Sequence, residues 1–224
     1  MAAQSAIRGV LFDLDGTLLD TAPDMAQALN RLRKEQGEHE IPFALIRPHV
    51  SHGALALVRT GFPDADDERV GILRARFLEL YSADIAAGTK LFPGFQAVLA
   101  QLEARDLRWG IVTNKPAFLT EPLLAAMKLS TRAKCVVSGD TLPQRKPHPA
   151  PLLHAAALLG IETGDCVYVG DAERDVRAAH AAGMRSLIAL FGYLSEHDQP
   201  QTWGADAMIN EPAELITWLN GTAL

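Results

Sequence analysis

Near the start of the chain two aspartates stand one residue apart at the end of an apolar run. Residues 9–17 read GVLFDLDGT, with Asp13 and Asp15 following Val10, Leu11 and Phe12. Carboxylates this close repel and raise one another's pKa unless a cation lies between them, and a divalent metal ion is the simplest such cation. Asp-x-Asp-Gly by itself also suits a tight turn, because Asp and Gly favour turns. A calcium loop would need glycine at its sixth position and glutamate at its twelfth. Counted from Asp13 those positions are Leu18 and Asp24, so the calcium spacing fails.

Polar groups recur after later apolar runs. WGIV at residues 109–112 is followed by Thr113, Asn114 and Lys115, and CVYV at 166–169 is followed by Gly170, Asp171, Ala172, Glu173, Arg174 and Asp175. Between them lies Arg145-Lys146-Pro147-His148-Pro149. Short apolar runs of this kind read as buried parallel strands, and open parallel sheets gather their ligands beyond the carboxyl ends of the strands. Right-handed crossovers would bring three carboxylates, a hydroxyl and an ammonium to one edge.

The elements that must hold these groups can be read from periodicity. Helices over 95–105, 117–127, 149–159 and 175–182 alternate with strands over 108–113, 134–138, 165–169 and 185–190, and a strand at 207–209 and a helix at 212–219 close the chain. The alternation predicts an α/β protein with a doubly wound, Rossmann-like parallel sheet. Residues 20–90 read differently. Asp20 or Thr21 as N-cap and Pro23 in the first turn open a helix that runs to about residue 36, and further helical segments follow to about residue 87 without a convincing strand. This block reads as an all-helical cap inserted into a core of residues 1–19 and 91–224. The connections at 16–20 and 88–94 each contain glycine and suit a hinge.

Composition narrows the functional classes. With 224 residues, 48% hydrophobic and 21% charged, the chain has ordinary globular usage and room for a core with one insertion. A net charge of −6 offers no basic surface for nucleic acid or anionic lipid, so any phosphate must be met locally. Cys135 and Cys166 each sit in an apolar run and read as buried thiols in a reducing compartment. No stretch approaches the ~20 apolar residues of a membrane span, and the first residues lack a secretory core. A cytoplasmic monomer or homodimer is the expectation.

Four motifs in order, Asp13-Leu14-Asp15-Gly16-Thr17, Thr113-Asn114, Lys146-Pro147 and Gly170-Asp171 with Asp175, give the whole chain a resemblance to the haloacid dehalogenase superfamily. Within it the chain is similar to the phosphoglycolate phosphatase group. The segments WGIVTNKP (109–116) and FGYLSEHDQPQTWGAD (191–206) resemble the branch that dephosphorylates N-acetylmuramic acid 6-phosphate. The resemblance implies an Mg²⁺-dependent phosphomonoesterase acting on a small phosphorylated metabolite. Asp13 would be the nucleophile that forms an aspartyl-phosphate, and Asp15 the acid and base. Thr113, Asn114 and Lys146 would hold the phosphoryl oxygens, and Mg²⁺ would be held by Asp13, the Asp15 carbonyl and Asp171. A dehalogenase lacks the second aspartate, so Asp15 favours phosphatase chemistry. Asp175 could orient a metal-bound water, pair with Lys146 or merely cap a helix. A sugar-phosphate mutase would use the same motifs.

Specificity is expected from the inserted block. Ser51, His52 and Gly53 follow an apolar stretch and open a helix whose amides could face a substrate. Arg47 and Arg59 are candidate carboxylate contacts, Lys115 a candidate for the distal end of the substrate, and His148 and His154 read as structural or surface residues.

Overall fold

The run that ends in the two aspartates forms β1 (Gly9–Phe12), all four residues buried, in a computed structural model that describes residues 6–221. The chain then makes β2 (Leu19–Asp20) and the helices α1 (Ala22–Glu35), α2 (Phe43–Ile46), α3 (Gly53–Gly61) and α4 (Asp67–Ala83), with a 3₁₀ turn at Arg47–His52. It returns through β3 (Lys90–Leu91) to an alternating series: α5 (Phe95–Ala104), β4 (Arg108–Val112), α6 (Ala117–Ala126), β5 (Val136–Val137), α7 (Ala150–Leu159), β6 (Cys166–Gly170), α8 (Glu173–Ala181), β7 (Arg185–Ala189), β8 (Ala207–Ile209) and α9 (Ala213–Gly221).

Six strands pair in parallel in the order β5-β4-β1-β6-β7-β8. β1 has no polar face and can be stable only where both faces are covered, which the helices on either side of the sheet provide. On one face Val10 and Phe12 meet Phe95 and Trp109, with the Phe12 and Phe95 rings edge to face at 5.5 Å. On the other, Leu11, Val112 and Tyr168 pack on α7 and α8 with Cys135 and Cys166. Both thiols are free, and burial pushes their pKa values up to about 12 and about 11. Phe12 lies opposite Ile111 on β4 and Val169 on β6, so the polar residues after all three strands emerge at one level. The chain order reverses at β1, which makes its carboxyl end the switch point of the sheet.

α1 buries Met25, Leu29 and Leu32, and α3 and α4 pack against it through Leu57, Val58, Leu73 and Phe77. The segment expected to lack strands carries two short ones at its ends: β2 and β3 pair antiparallel, Leu19 with Leu91 and Asp20 with Lys90. Two residues each are too few to leave a periodicity in sequence. The paired ribbon ties the two connections together where free glycine hinges were expected. Asp24 reinforces it, accepting from the Gly88 amide, the Thr89 amide and the Thr89 hydroxyl at 2.6, 2.8 and 2.6 Å. The fourth helix starts at Asp67, where Asp66 accepts from the Arg69 amide at 2.8 Å and caps it.

Candidate active site

Beyond the carboxyl ends of β1, β4 and β6 the predicted acids and bases converge. Asp13 is 3% exposed, and its Oδ1 lies 2.9 Å from the ammonium of Lys146. The same ammonium lies 2.9 Å from Asp175 Oδ1 and donates to the Tyr168 hydroxyl at 2.6 Å, which in turn donates to the Val112 carbonyl. One buried cation thus holds two buried carboxylates. Burial raises the pKa of Asp13, with Lys146 as the main opposing influence and Asp175 adding to the rise.

Asp13, Asp171 and Asp175 bring one oxygen each within 4.8 Å of one another. Asp175 is committed elsewhere, since its Oδ2 accepts from the Ala172 amide at 3.0 Å and so caps α8 while Oδ1 faces Lys146. Asp171 is the poorly balanced member. Its Oδ2 accepts from the Tyr193 amide at 2.9 Å and the Ser51 hydroxyl at 2.7 Å, but its buried Oδ1 has no hydrogen-bond partner among the described residues. Burial, then the charges of Asp13 and Asp175, push its pKa up to about 7. A buried, unpartnered carboxylate oxygen close to two further carboxylates fits a hard divalent cation. Gly16 makes room for it: at φ +83 it favours no side chain, and a Cβ there would collide with the Asp171 carboxylate.

The Asp15 carboxylate is not part of that cluster. Its Oδ1 accepts from the Lys115 ammonium at 2.9 Å and from the Thr21 hydroxyl at 2.7 Å. Thr21 therefore occupies the N-cap position of α1 without capping it, because its hydroxyl is turned to the site. Lys115, expected at the distal end of a substrate, is instead buried between Asp15 and the Tyr81 hydroxyl on α4, 2.9 Å from each. Burial holds its pKa below the ordinary lysine value. Thr113 is 3% exposed and accepts from the Lys115 amide at 3.1 Å. The Asn114 amide is doubly engaged with the Lys146 backbone, donating to its carbonyl at 2.9 Å and accepting from its N–H at 3.0 Å. It braces the loop that carries Lys146.

These groups line a cavity of about 410 Å³ whose other wall comes from the helical block, including Ser51, His52 and Gly53. His52 also lines a smaller recess of about 220 Å³ with Asp171 and Arg174. Partial burial, and then the charge of Arg174, hold its pKa below 6.5. Gly53 turns the chain from the 3₁₀ segment into α3 at φ +82. Arg47 and Arg59 do not line the cavity. Arg47 stacks over the Tyr193 ring, 4.8 Å from its centroid, and donates to the Gly192 and Phe191 carbonyls, while Arg59 pairs with exposed Asp67. His148 accepts from the Ala150 amide at the start of α7.

Sequence reading missed four contributors. Arg174 lies 3.8 Å from Asp13 Oδ2 and lines both recesses, and its place a few residues past the end of β6 was visible without its direction being so. Tyr81, Tyr168 and Tyr193 left no signal, because each reaches the site from a position chosen by packing.

The comparisons agree with this geometry. Residues 10–189 match the family model described as haloacid dehalogenase-like hydrolase. A phosphoglycolate phosphatase of Xylella fastidiosa is 45% identical over 205 residues, covering 92% of this chain and 90% of that one. An N-acetylmuramic acid 6-phosphate phosphatase of Pseudomonas putida is 40% identical over 212 residues, 93% and 94% of the two chains. In fold, the crystal structure of a predicted phosphoglycolate phosphatase from Haemophilus somnus superposes with a TM-score of 0.85 at 24% identity, covering 96% of this chain and 98% of that one. With a central strand that ends in Asp13, a buried lysine beside it and a matching family model across most of its length, the chain belongs to the haloacid dehalogenase-like hydrolases.

Proposed function

We propose that this phosphoric monoester hydrolase works through a covalent phosphoryl group on Asp13, with Mg²⁺ as its metal. The observation that carries the reading is the Lys146 ammonium 2.9 Å from Asp13 Oδ1, beside an Asp171 oxygen that has no partner. An Asp13 oxygen bonds to phosphorus as the ester P–O bond breaks, and Asp15 gives its proton to the departing alkoxide. Asp15 then takes a proton from water as that water attacks phosphorus, releasing inorganic phosphate and restoring Asp13. Lys146 and Arg174 offset the charge of the phosphoryl oxygens. Thr113 stands at the same strand edge as a further phosphoryl contact. Asp13, Asp171 and the Asp15 carbonyl would hold Mg²⁺, which supplies further charge neutralisation and orientation for an in-line displacement. Residues 20–90 act as a cap that closes over the site, with Ser51, His52 and Gly53 toward the leaving group.

Phosphoglycolate is the first reading of the substrate, from the relatives at 45% identity. One observation favours the bulkier N-acetylmuramic acid 6-phosphate named for the relative at 40%: a cavity of about 410 Å³ is far more than a two-carbon acid fills. The catalytic reading is tested by replacing the nucleophile. Asp13→Asn is nearly isosteric and should keep the fold by circular dichroism while turnover of p-nitrophenyl phosphate falls by about 10⁴-fold or more. BeF₃⁻ with Mg²⁺ should inhibit the wild type and fail to bind the variant. A variant that retains appreciable activity removes Asp13 from the role.

A further inference from the structure

The mouth of the cavity carries two arginines that nothing in the fold explains. Arg74 comes from α4 of the helical block and Arg145 from the loop before Lys146, and both are exposed and line the cavity. Neither has an ion pair or a side-chain hydrogen bond among the described residues. For Arg74 this is exceptional. Every other arginine between residues 20 and 90 has a partner: Arg31, Arg59 and Arg76 have carboxylates, Arg69 has Gln36, and Arg33 and Arg47 have backbone carbonyls. The remaining acid of the lining, Asp140, accepts from the Ala117 amide at the start of α6 at 2.8 Å.

The cavity is therefore graded. Its floor holds the buried Asp13 and Lys115 and the half-buried Asp15, its mouth holds the exposed Arg74 and Arg145, and its lining also includes the apolar Val50, Phe77 and Leu119. A guanidinium presents paired donors that match a carboxylate. From this arrangement we infer that Arg74 and Arg145 form a second anion subsite, which takes the carboxylate of a phosphorylated acid whose body between carboxylate and phosphate is partly apolar, as that lining is. The inference rests on the phosphatase reading and narrows its substrate to a bulky acid. It selects against phosphoglycolate, in which one methylene separates the carboxylate from the phosphate ester oxygen. Because one arginine comes from each side of the cavity, such a carboxylate would also bridge the helical block to the core.

The test compares two sugars that differ only in the lactyl ether that carries the acid, N-acetylmuramic acid 6-phosphate and N-acetylglucosamine 6-phosphate, with phosphoglycolate and p-nitrophenyl phosphate alongside. The wild type should favour the acid-bearing sugar in kcat/KM by about tenfold or more, the scale of a hydrogen bond to a charged group. Arg74→Gln and Arg145→Gln should each lower that ratio, and the double variant should bring it close to one. Lysine at either position should recover part of it, and added salt should erode it in the wild type. Arg59→Gln, away from the cavity, should leave the ratio where it was. Equal turnover of the two sugars, a preference for phosphoglycolate, or variants that lose equally on both sugars would each overturn the subsite while p-nitrophenyl phosphate turnover upholds the phosphatase. A chain inert toward every ester overturns both.

Discussion

The core and the helical block build the site by different means. The core supplies groups at the ends of three adjacent strands, so sheet register alone brings Asp13, Thr113 and Asp171 to one level. Its charges are buried and shared: Lys146 serves Asp13, Asp175 and Tyr168 at once. The block reaches the same centre through side chains that cross to it from the block's own elements, Ser51 to Asp171, Tyr81 to Lys115 and Arg47 to the loop at Gly192. Its own ion pairs face solvent, as Arg59 with Asp67 does. A core residue cannot be changed without leaving a charge stranded. Ser51 of the block can be changed with the loss of one hydrogen bond.

The largest expected effect follows from that contrast. Lys146→Met removes a fully buried cation and leaves Asp13 and Asp175 facing each other without it. Breaking a buried pair from one side costs about 3–5 kcal/mol. Urea unfolding should show a loss of this size in the metal-free protein. Adding Asp175→Asn should return part of it, because one of the stranded charges is then gone. Arg59→Gln in the block should leave the midpoint unmoved within error, since exposed pairs contribute little. Equal effects from the two substitutions would dissolve the comparison.

An intermediate effect concerns the metal. The pKa of Asp171 is raised from 3.8 to about 7 in the folded chain, chiefly by burial and then by Asp13 and Asp175. A group that holds its proton more tightly when folded stabilises the fold at low pH, and that contribution is lost as pH rises from about 4 to about 7. The metal-free protein should therefore lose thermal stability on this account across that window. A cation bound by the carboxylates competes with the proton. The rise in Tm on adding Mg²⁺ should thus be clearly larger at about pH 8 than at about pH 5. The same rise at both values would mean that Asp171 does not share the ion. No rise at either would remove the site.

How much of this was legible in the sequence follows the same division. The doubly wound sheet could be read because β1, β4 and β6 are apolar runs that stop at polar residues, and the acids and Thr113 stand within a few residues of those stops. Sequence distance is then a good proxy for spatial distance. Asn114 shows the limit: its place was visible, but its engagement with the Lys146 backbone depends on a loop 32 residues away. In the block the proxy fails. Tyr81 meets Lys115 across 34 residues and Ser51 meets Asp171 across 120. Such contacts depend on how α1, α3 and α4 pack, and helical periodicity says which face is buried without saying what lies across it. Arg47 and Arg59 look alike as helix-flanking arginines, yet one anchors the block to the loop at Gly192 and the other faces solvent.

The smallest expected effect lies at a point where the two regions share an acid. The Ser51 hydroxyl donates to Asp171 Oδ2 at 2.7 Å, from the end of the 3₁₀ turn that leads into α3. A single partly buried hydrogen bond contributes about 0.5–1.5 kcal/mol, so Ser51→Ala should cost only a few-fold in any equilibrium that depends on it. What distinguishes its readouts is their location. If the bond holds the block against the core, amide hydrogen exchange should quicken in α3 and in the 3₁₀ turn while β1 and β6 keep their protection, since local opening draws on local contacts. The bond also favours the charged form of Asp171, so the variant should need somewhat more Mg²⁺ for the same Tm. A change in Mg²⁺ requirement without faster exchange would make Ser51 a partner of the acid alone. Faster exchange throughout the sheet would make it a residue of the fold, and the division between core and block would fail at the place where they meet.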